Sequence, residues 1–219
     1  NANNYSNQEF DWRRAYANLS KKEQRKIMKE VQKEANAEYR KQYEDYFRSL
    51  GYYRRRIVKM LIKIYTDGAC SGNPGRGGYG TILIAEDDNG TVHKKEITEG
   101  FKVTTNNRME LLAAIVGLEA LKKPCNVELT SDSKYLVDAF NQKWVDGWIK
   151  KGWKGANKQP VKNKDLWQRL LKAKEPHQVK FIWVKGHNGH EFNERCDEMA
   201  VASANSENLL EDKGFLQNT

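Results

Sequence analysis

From Leu61 onward, short apolar runs of strand character alternate with longer apolar or amphipathic runs of helical character. That alternation restricts the chain to an α/β architecture. LIKIYT (61–66) predicts a strand leading to Asp67, and the glycine-rich SGNPGRGG (71–78) predicts a turn. YGTILIAE predicts a second strand, and Asp88–Asn89–Gly90 marks a hairpin turn into HKKEITEGF, a third. Asn106–Asn107 suit a helix cap before MELLAAIVGLEAL (109–121), whose composition favours helix, and Pro124 lies past its end. NVELTSD (126–132) predicts a fourth strand ending on an acid, KYLVDAF a helix, HQVKFIWVKGH (177–187) a fifth strand, and NERCDEMAVASA (193–204) a last helix.

The first 60 residues differ in texture. They carry 15 Lys/Arg against 8 Asp/Glu, whereas residues 61–219 carry 23 against 21, so most of the formal charge of +9 lies in the first quarter. In SKKE, Ser20 and Glu23 have the spacing of a capping box, with Leu19 placed for a hydrophobic staple. Apolar residues then recur at helical spacing from Met28 to Leu50, and Gly51 suits a helix end. The basic, aromatic YYRRR (52–56) suits either a phosphate contact or a solvated linker. Residues 1–60 are therefore expected to form a basic helical extension, with 205–219 a loose tail or short capping element. The Asn-rich start, without an initiator Met or a signal-peptide apolar run, suits a trimmed chain or a cloning remnant.

Membrane spanning is not expected, because no run of 18 apolar residues occurs. Cys70, Cys125 and Cys196 are widely separated and show neither a CxxC pair nor zinc-ligand spacing. Free thiols in a reducing, cytoplasmic setting are the expectation. The positive charge favours an anionic partner, of which nucleic acid is the commonest. Residues 143–174 strengthen that reading, with four Trp and ten Lys/Arg against two Asp. Trp144 and Trp148 are spaced to share a helical face. Basic plus aromatic composition suits a nucleic-acid surface, and equally a helical subdomain with Trp inside and Lys outside; both hold together.

Four acids stand at positions suited to chemistry. Asp67 follows a strand, Glu110 sits in the first turn of a long helix, Asp132 ends a strand, and Asp197 lies in the last helix. Singly, each suits an ordinary strand end or helix N-terminus. Jointly, they would repel one another without a cation, and hard divalent ions prefer oxygen ligands. Two such ions about 4 Å apart supply what phosphodiester hydrolysis requires.

The motifs that carry these acids resemble type 1 ribonuclease H in family order: YTDGACSGNPGRGGYG (65–80), TTNNRMELLAAIVGLEAL (104–121), SDSKYL (131–136) and VKGHNGHEFNERCDEMA (184–200). The resemblance covers about residues 61–204 and is closest to bacterial forms with a basic protrusion. It implies an α/β fold with a five-stranded mixed sheet flanked by helices. It also implies an endonuclease that hydrolyses the RNA strand of RNA/DNA hybrids with two Mg²⁺ ions, or Mn²⁺ as substitute, leaving 5′-phosphate and 3′-hydroxyl ends. Asp67, Glu110, Asp132 and Asp197 match the metal-binding acids. His187 matches a mobile catalytic histidine, and flanking Gly186 and Gly189 favour loop mobility. His190 suits support of the helix start, while Glu194 suits either tuning of metal occupancy or a solvated surface.

The resemblance places substrate contacts at Asn73, Asn106 and Asn107 in the hybrid's minor groove, with backbone help around Cys70. Thr105 and Asn106 match a DNA-phosphate site, and Trp144, with Trp148 beside it, a deoxyribose contact. Lys134 stands where several family members carry a neutral polar residue, and suits phosphate. The 143–174 segment matches the protrusion and following helix. Residues 1–60 do not match the eukaryotic hybrid-binding module; they suit docking on the catalytic domain, gripping the hybrid, or binding a protein. The expected state is a monomer. A DNA-processing relative of the fold, a non-catalytic hybrid binder and a reverse-transcriptase nuclease domain are the competing classes. The NNRMEL and KGHxGH contexts, the intact acids and the lack of polymerase sequence disfavour them.

Overall fold

The structure is a computed structural model in which residues 20–24, 26, 61–86, 90–156 and 158–217 are described. The chain divides into two units, Asn1–Arg56 and Ile57–Thr219. In the first unit, residues 21–24 are helical. The Ser20 amide donates to Glu23 Oε2 at 2.8 Å, and the Glu23 amide donates to Ser20 Oγ at 3.4 Å. This reciprocal pair is the capping box that the SKKE spacing predicts. The expected helix from Met28 to Leu50, the 52–56 cluster, and Asp88–Asn89 of the hairpin turn lie outside the described residues.

The second unit contains strands β1 (Leu61–Gly72), β2 (Gly75–Glu86), β3 (Val92–Thr104), β4 (Asn126–Ser131) and β5 (Gln178–Trp183). Its helices are α1 (Asn106–Glu119), α2 (Lys134–Asn141), α3 (Trp144–Lys150), α4 (Lys164–Lys174), α5 (Glu191–Ala204) and the short α6 (Lys213–Leu216). The strand order is β3-β2-β1-β4-β5. β1–β2 and β2–β3 are antiparallel, while β1–β4 and β4–β5 are parallel, giving the expected mixed sheet.

Strand alternation sorts side chains to the two faces. Ile62 and Ile64 of β1 join the main core with Met109, Leu111, Ile115 and Leu118 of α1. Each such fully buried aliphatic side chain contributes about 1.5–3 kcal/mol relative to exposure. Tyr65 and Ile82 point the other way and pack with Cys196, Met199 and Phe192 of α5. Cys125 and Cys196 are buried and Cys70 half-buried, all three as free thiols.

The glycine-rich run departs from its expected role. Only Asn73–Pro74 make the turn, and Gly75–Gly80 lie within β2. A Cβ on Gly78 would sit 2.1 Å from Ser203 Oγ and 2.6 Å from the Ala200 carbonyl; one on Gly80 would sit 2.2 Å from the Cys196 carbonyl. The missing side chains let α5 lie directly on the strand.

In the 143–174 segment, Trp167 is fully buried and meets Tyr135, Phe140 and Trp148 edge-on. Lys143, Lys150, Lys151, Lys154, Lys158, Lys162 and Lys164 face solvent. The C-terminal segment is tied down. Leu210 exchanges backbone hydrogen bonds with Gly100 and Lys102, at 2.8 and 2.9 Å. Buried Arg108 forms paired bonds to Asp212, at 2.6 and 2.8 Å, and to Asp165, at 3.0 and 2.8 Å. That cluster joins α1, α4 and the segment before α6. Among the described residues, no helix is long and apolar enough to cross a membrane.

Candidate active site

Sheet register explains the placement of the first two acids. The parallel β1–β4 ladder ends at Thr66 paired with Ser131, so Asp67 and Asp132 are the next residues on neighbouring strands. The carboxyl ends of parallel strands are where open α/β sheets place ligands. Asp67 is buried and accepts the Gly68 amide at 2.7 Å. On the opposite side of β1, Gly68 allows close approach of α1: a Cβ there would lie 2.4 Å from the Glu110 nitrogen.

Glu110 sits one turn inside α1 rather than in its first turn, because the helix begins at Asn106. The helix dipole therefore does not account for it. Its carboxylate is held from both sides, by Asn106 Nδ2 at 2.8 Å and by a short hydrogen bond from Ser133 Oγ. Asn106 and Asn107 are helical rather than caps; Thr105 occupies the N-cap without a side-chain bond. Asn73 Oδ1 instead accepts the Asn106 amide at 3.2 Å, capping α1 from the β1–β2 turn.

Asp132 lies between β4 and α2, with Trp183 Nε1 donating to its carbonyl at 3.0 Å. The loop after β5 crosses it closely, since a Cβ on Gly186 would meet Asp132 Oδ2 at 2.4 Å. Asn193 of α5 is buried, and its side chain favours the charged form of this carboxylate. Asp197 projects from α5, and His187 Nδ1 stands 3.9 Å from its Oδ2. His187 is 80% exposed and has φ of +51°.

The acids perturb one another. Burial, then repulsion from Asp132, Asp197 and Glu110, pushes the Asp67 carboxyl up to about 8 against the Gly68 hydrogen bond. Burial and Asp132 push Glu110 up to about 7, although the Ser133 bond favours its anion. Burial and Asp197 also raise Asp132, while His187 and Asn193 oppose the shift. Among the described residues, no three His, Cys, Asp or Glu side chains form a ready-made metal cage. The donor set is nevertheless all carboxylate oxygen, and burial together with neighbouring carboxylates makes Asp67, Glu110 and Asp132 hold their protons more tightly. A hard divalent cation that keeps some water ligands suits such a set.

The remaining predicted contacts each have their own surroundings. Cys70 Sγ lies in β1, 3.5 Å from the Thr104 carbonyl and 3.6 Å from that of Gly75. Asn107 is exposed, and Lys134 Nζ lies 5.0 Å from the centre of the Trp183 ring. Trp144 is exposed, but Trp148 turns inward against Trp167. Sequence reasoning did not single out Ser133, Asn193 or Arg108. Ser133 had a local signal, since it caps α2 by accepting the Leu136 amide at 3.2 Å. Asn193 and Arg108 had none, because their partners are distant in sequence.

The ribonuclease H family model matches residues 59–205, which carry the whole sheet and all four acids. The chain belongs to the ribonuclease H family. Ribonuclease H from Lachnoclostridium phytofermentans is 62% identical over 154 residues, covering 70% of this chain and 98% of the relative. That from Desulforamulus reducens is 57% identical over 148 residues, covering 68% and 90%. Among solved structures, LC9-RNase H1, a type 1 RNase H with the type 2 active-site motif, matches with TM-score 0.64 and 31% identity over 74% of this chain and 82% of that one. The family match leaves residues 1–58 and 206–219 outside it.

Proposed function

We propose that this chain hydrolyses the RNA strand of RNA/DNA hybrids endonucleolytically, leaving 5′-phosphate and 3′-hydroxyl ends. The observation that carries the reading is the convergence of four acids where the parallel pairing of β1 and β4 ends: burial and neighbouring carboxylates raise Asp67, Glu110 and Asp132, and Asp197 acts on Asp67 and Asp132. These four carboxylates would hold two Mg²⁺ ions, with Mn²⁺ as a substitute. When bound, the ions supply an activated water and neutralise charge on the leaving 3′ oxygen.

The chain's own groups supply order and selection. Asn106 and Ser133 fix both oxygens of Glu110. His187 moves a proton at its exposed imidazole. Asn73, Thr105, Asn106 and Asn107 form an amide-rich edge beside Glu110, joined by the Asn73–Asn106 bond. Such groups both donate to and accept from a 2′-hydroxyl, which distinguishes RNA from DNA. The backbone around Cys70 continues that edge. Exposed Trp144 packs on a deoxyribose of the DNA strand, and the exposed lysines of 143–164 grip its phosphates. Lys134, steadied over Trp183, takes a further phosphate. The enzyme acts as a monomer.

The test is incubation with Mg²⁺ and a labelled hybrid, beside duplex RNA and duplex DNA, with Asp132→Asn as control. Cutting confined to the hybrid's RNA strand, and abolished in the variant, is expected. Tight hybrid binding without cutting in either Mg²⁺ or Mn²⁺ would leave a binding module instead.

A further inference from the structure

The loop between β5 and α5 carries His187, and its two ends are secured differently. Near its start, Gly186 packs against Asp132. Toward its end, nothing lies within 4 Å of where a Gly189 Cβ would stand, so packing does not fix that residue. Both His187 and Gly189 adopt left-handed backbone, with φ of +51° and +78°. A non-glycine residue there needs its surroundings to hold it. His190 at the N-cap of α5 contributes no side-chain cap. The Gly189 amide instead donates to Glu194 Oε1 at 2.8 Å, reaching into the first turn of α5. A carboxylate suits that helix end, and a hydrogen bond to a charged acceptor is among the stronger kinds.

From this geometry, and resting on the hydrolytic reading above, we propose that Glu194 is a positioning residue: its carboxylate latches the Gly189 amide and so holds His187 beside Asp197. His187 Nδ1 is 3.9 Å from Asp197 Oδ2, beyond hydrogen-bond reach, so that contact does not fix the ring. The loop backbone sets its place, and Glu194 sets the loop. Releasing the latch widens the range of His187 without removing any group from the reacting centre.

The test uses the full chain with Glu194→Ala, Glu194→Gln, His187→Ala and the Glu194→Ala/His187→Ala double variant. Glutamine keeps an acceptor oxygen and retains the latch. In the metal-free protein, Gly189 amide exchange is expected to quicken about tenfold or more in Glu194→Ala and to change little in Glu194→Gln. In hybrid cleavage, Glu194→Ala is expected to lower kcat about tenfold with KM nearly unchanged, glutamine to restore most of it, and the loss to vanish in the His187→Ala background. Unchanged Gly189 exchange in Glu194→Ala would overturn the latch, as would a glutamine variant as fast as alanine. An undiminished kinetic loss without His187 would overturn the positioning role and leave an ordinary helix cap or a charge effect. If the wild-type chain cuts no hybrid, the function fails separately, while the exchange rates still decide the latch.

Discussion

Asp67 is buried beside three other acids that raise its affinity for a proton, and this has a consequence for stability. In an unfolded chain its carboxyl ionises near 4. In the metal-free fold it holds its proton up to about 8. Between those values the unfolded state binds fewer protons, so stability falls as pH rises, and above about 8 the penalty is constant. Asp67→Asn removes that proton dependence. Metal-free thermal melts should therefore show the variant and wild type nearly equal at pH 4. At pH 8 the variant should be the more stable, by up to about 5 kcal/mol, and should melt correspondingly higher. Adding Mg²⁺ should raise the wild-type Tm at pH 8 and leave the variant nearly unmoved. A wild-type chain as stable at pH 8 as its variant would show that the acids do not share one crowded site.

At the scale of elements, the placement of α5 depends on residues with no side chain. A Gly80→Ala methyl would stand 2.2 Å from the Cys196 carbonyl, which is backbone and cannot rotate away. The helix must then shift, carrying Asp197 with it. Overpacking typically costs about 1–3 kcal/mol. A lower urea midpoint together with weaker hybrid cleavage is expected, and wild-type behaviour in both would show that the sheet yields instead. The same glycines show how far the sequence was legible. Five strands and the main helices followed from periodicity, because strand alternation and helical spacing are local patterns. The glycine run predicted a turn, since φ freedom is the local meaning of glycine, whereas Gly78 at its end, and Gly80 just beyond, make room under a helix over 100 residues away. Motifs made the four acids legible, but the Arg108 cluster is a tertiary fact without local signal. In that cluster, burial would raise the Asp212 carboxyl, but bonds from Arg108 and Thr104 hold it below its ordinary value. Its contribution is present above the ordinary carboxylate range and lost as pH falls through the lowered value. Arg108→Met strands two carboxylates and should cost about 3–5 kcal/mol near pH 7 in urea melts, with the deficit shrinking on acidification.

On the scale of the whole molecule, charge is divided unevenly between the two units. Asn1–Arg56 carries 14 Lys/Arg against 8 Asp/Glu, and Ile57–Thr219 carries 24 against 21. The site and the amide-rich edge both belong to the second unit, so chemistry and the recognition of RNA should reside there. Phosphate neutralisation makes affinity fall with salt, with a slope of about −0.9 per neutralised phosphate on duplex DNA. If the first unit grips the hybrid, its cations add to that slope without touching the reacting centre. A chain beginning at Ile57 should then cut hybrids with nearly the same kcat, a higher KM, and a shallower dependence of log affinity on log salt. Fluorescence anisotropy of a labelled hybrid across about 50–200 mM salt reads the slope directly. Equal slopes for the full and shortened chains would show that the basic first unit does not neutralise hybrid phosphates. Its charge would then serve a different acidic partner, while cleavage by the second unit would stand unaffected.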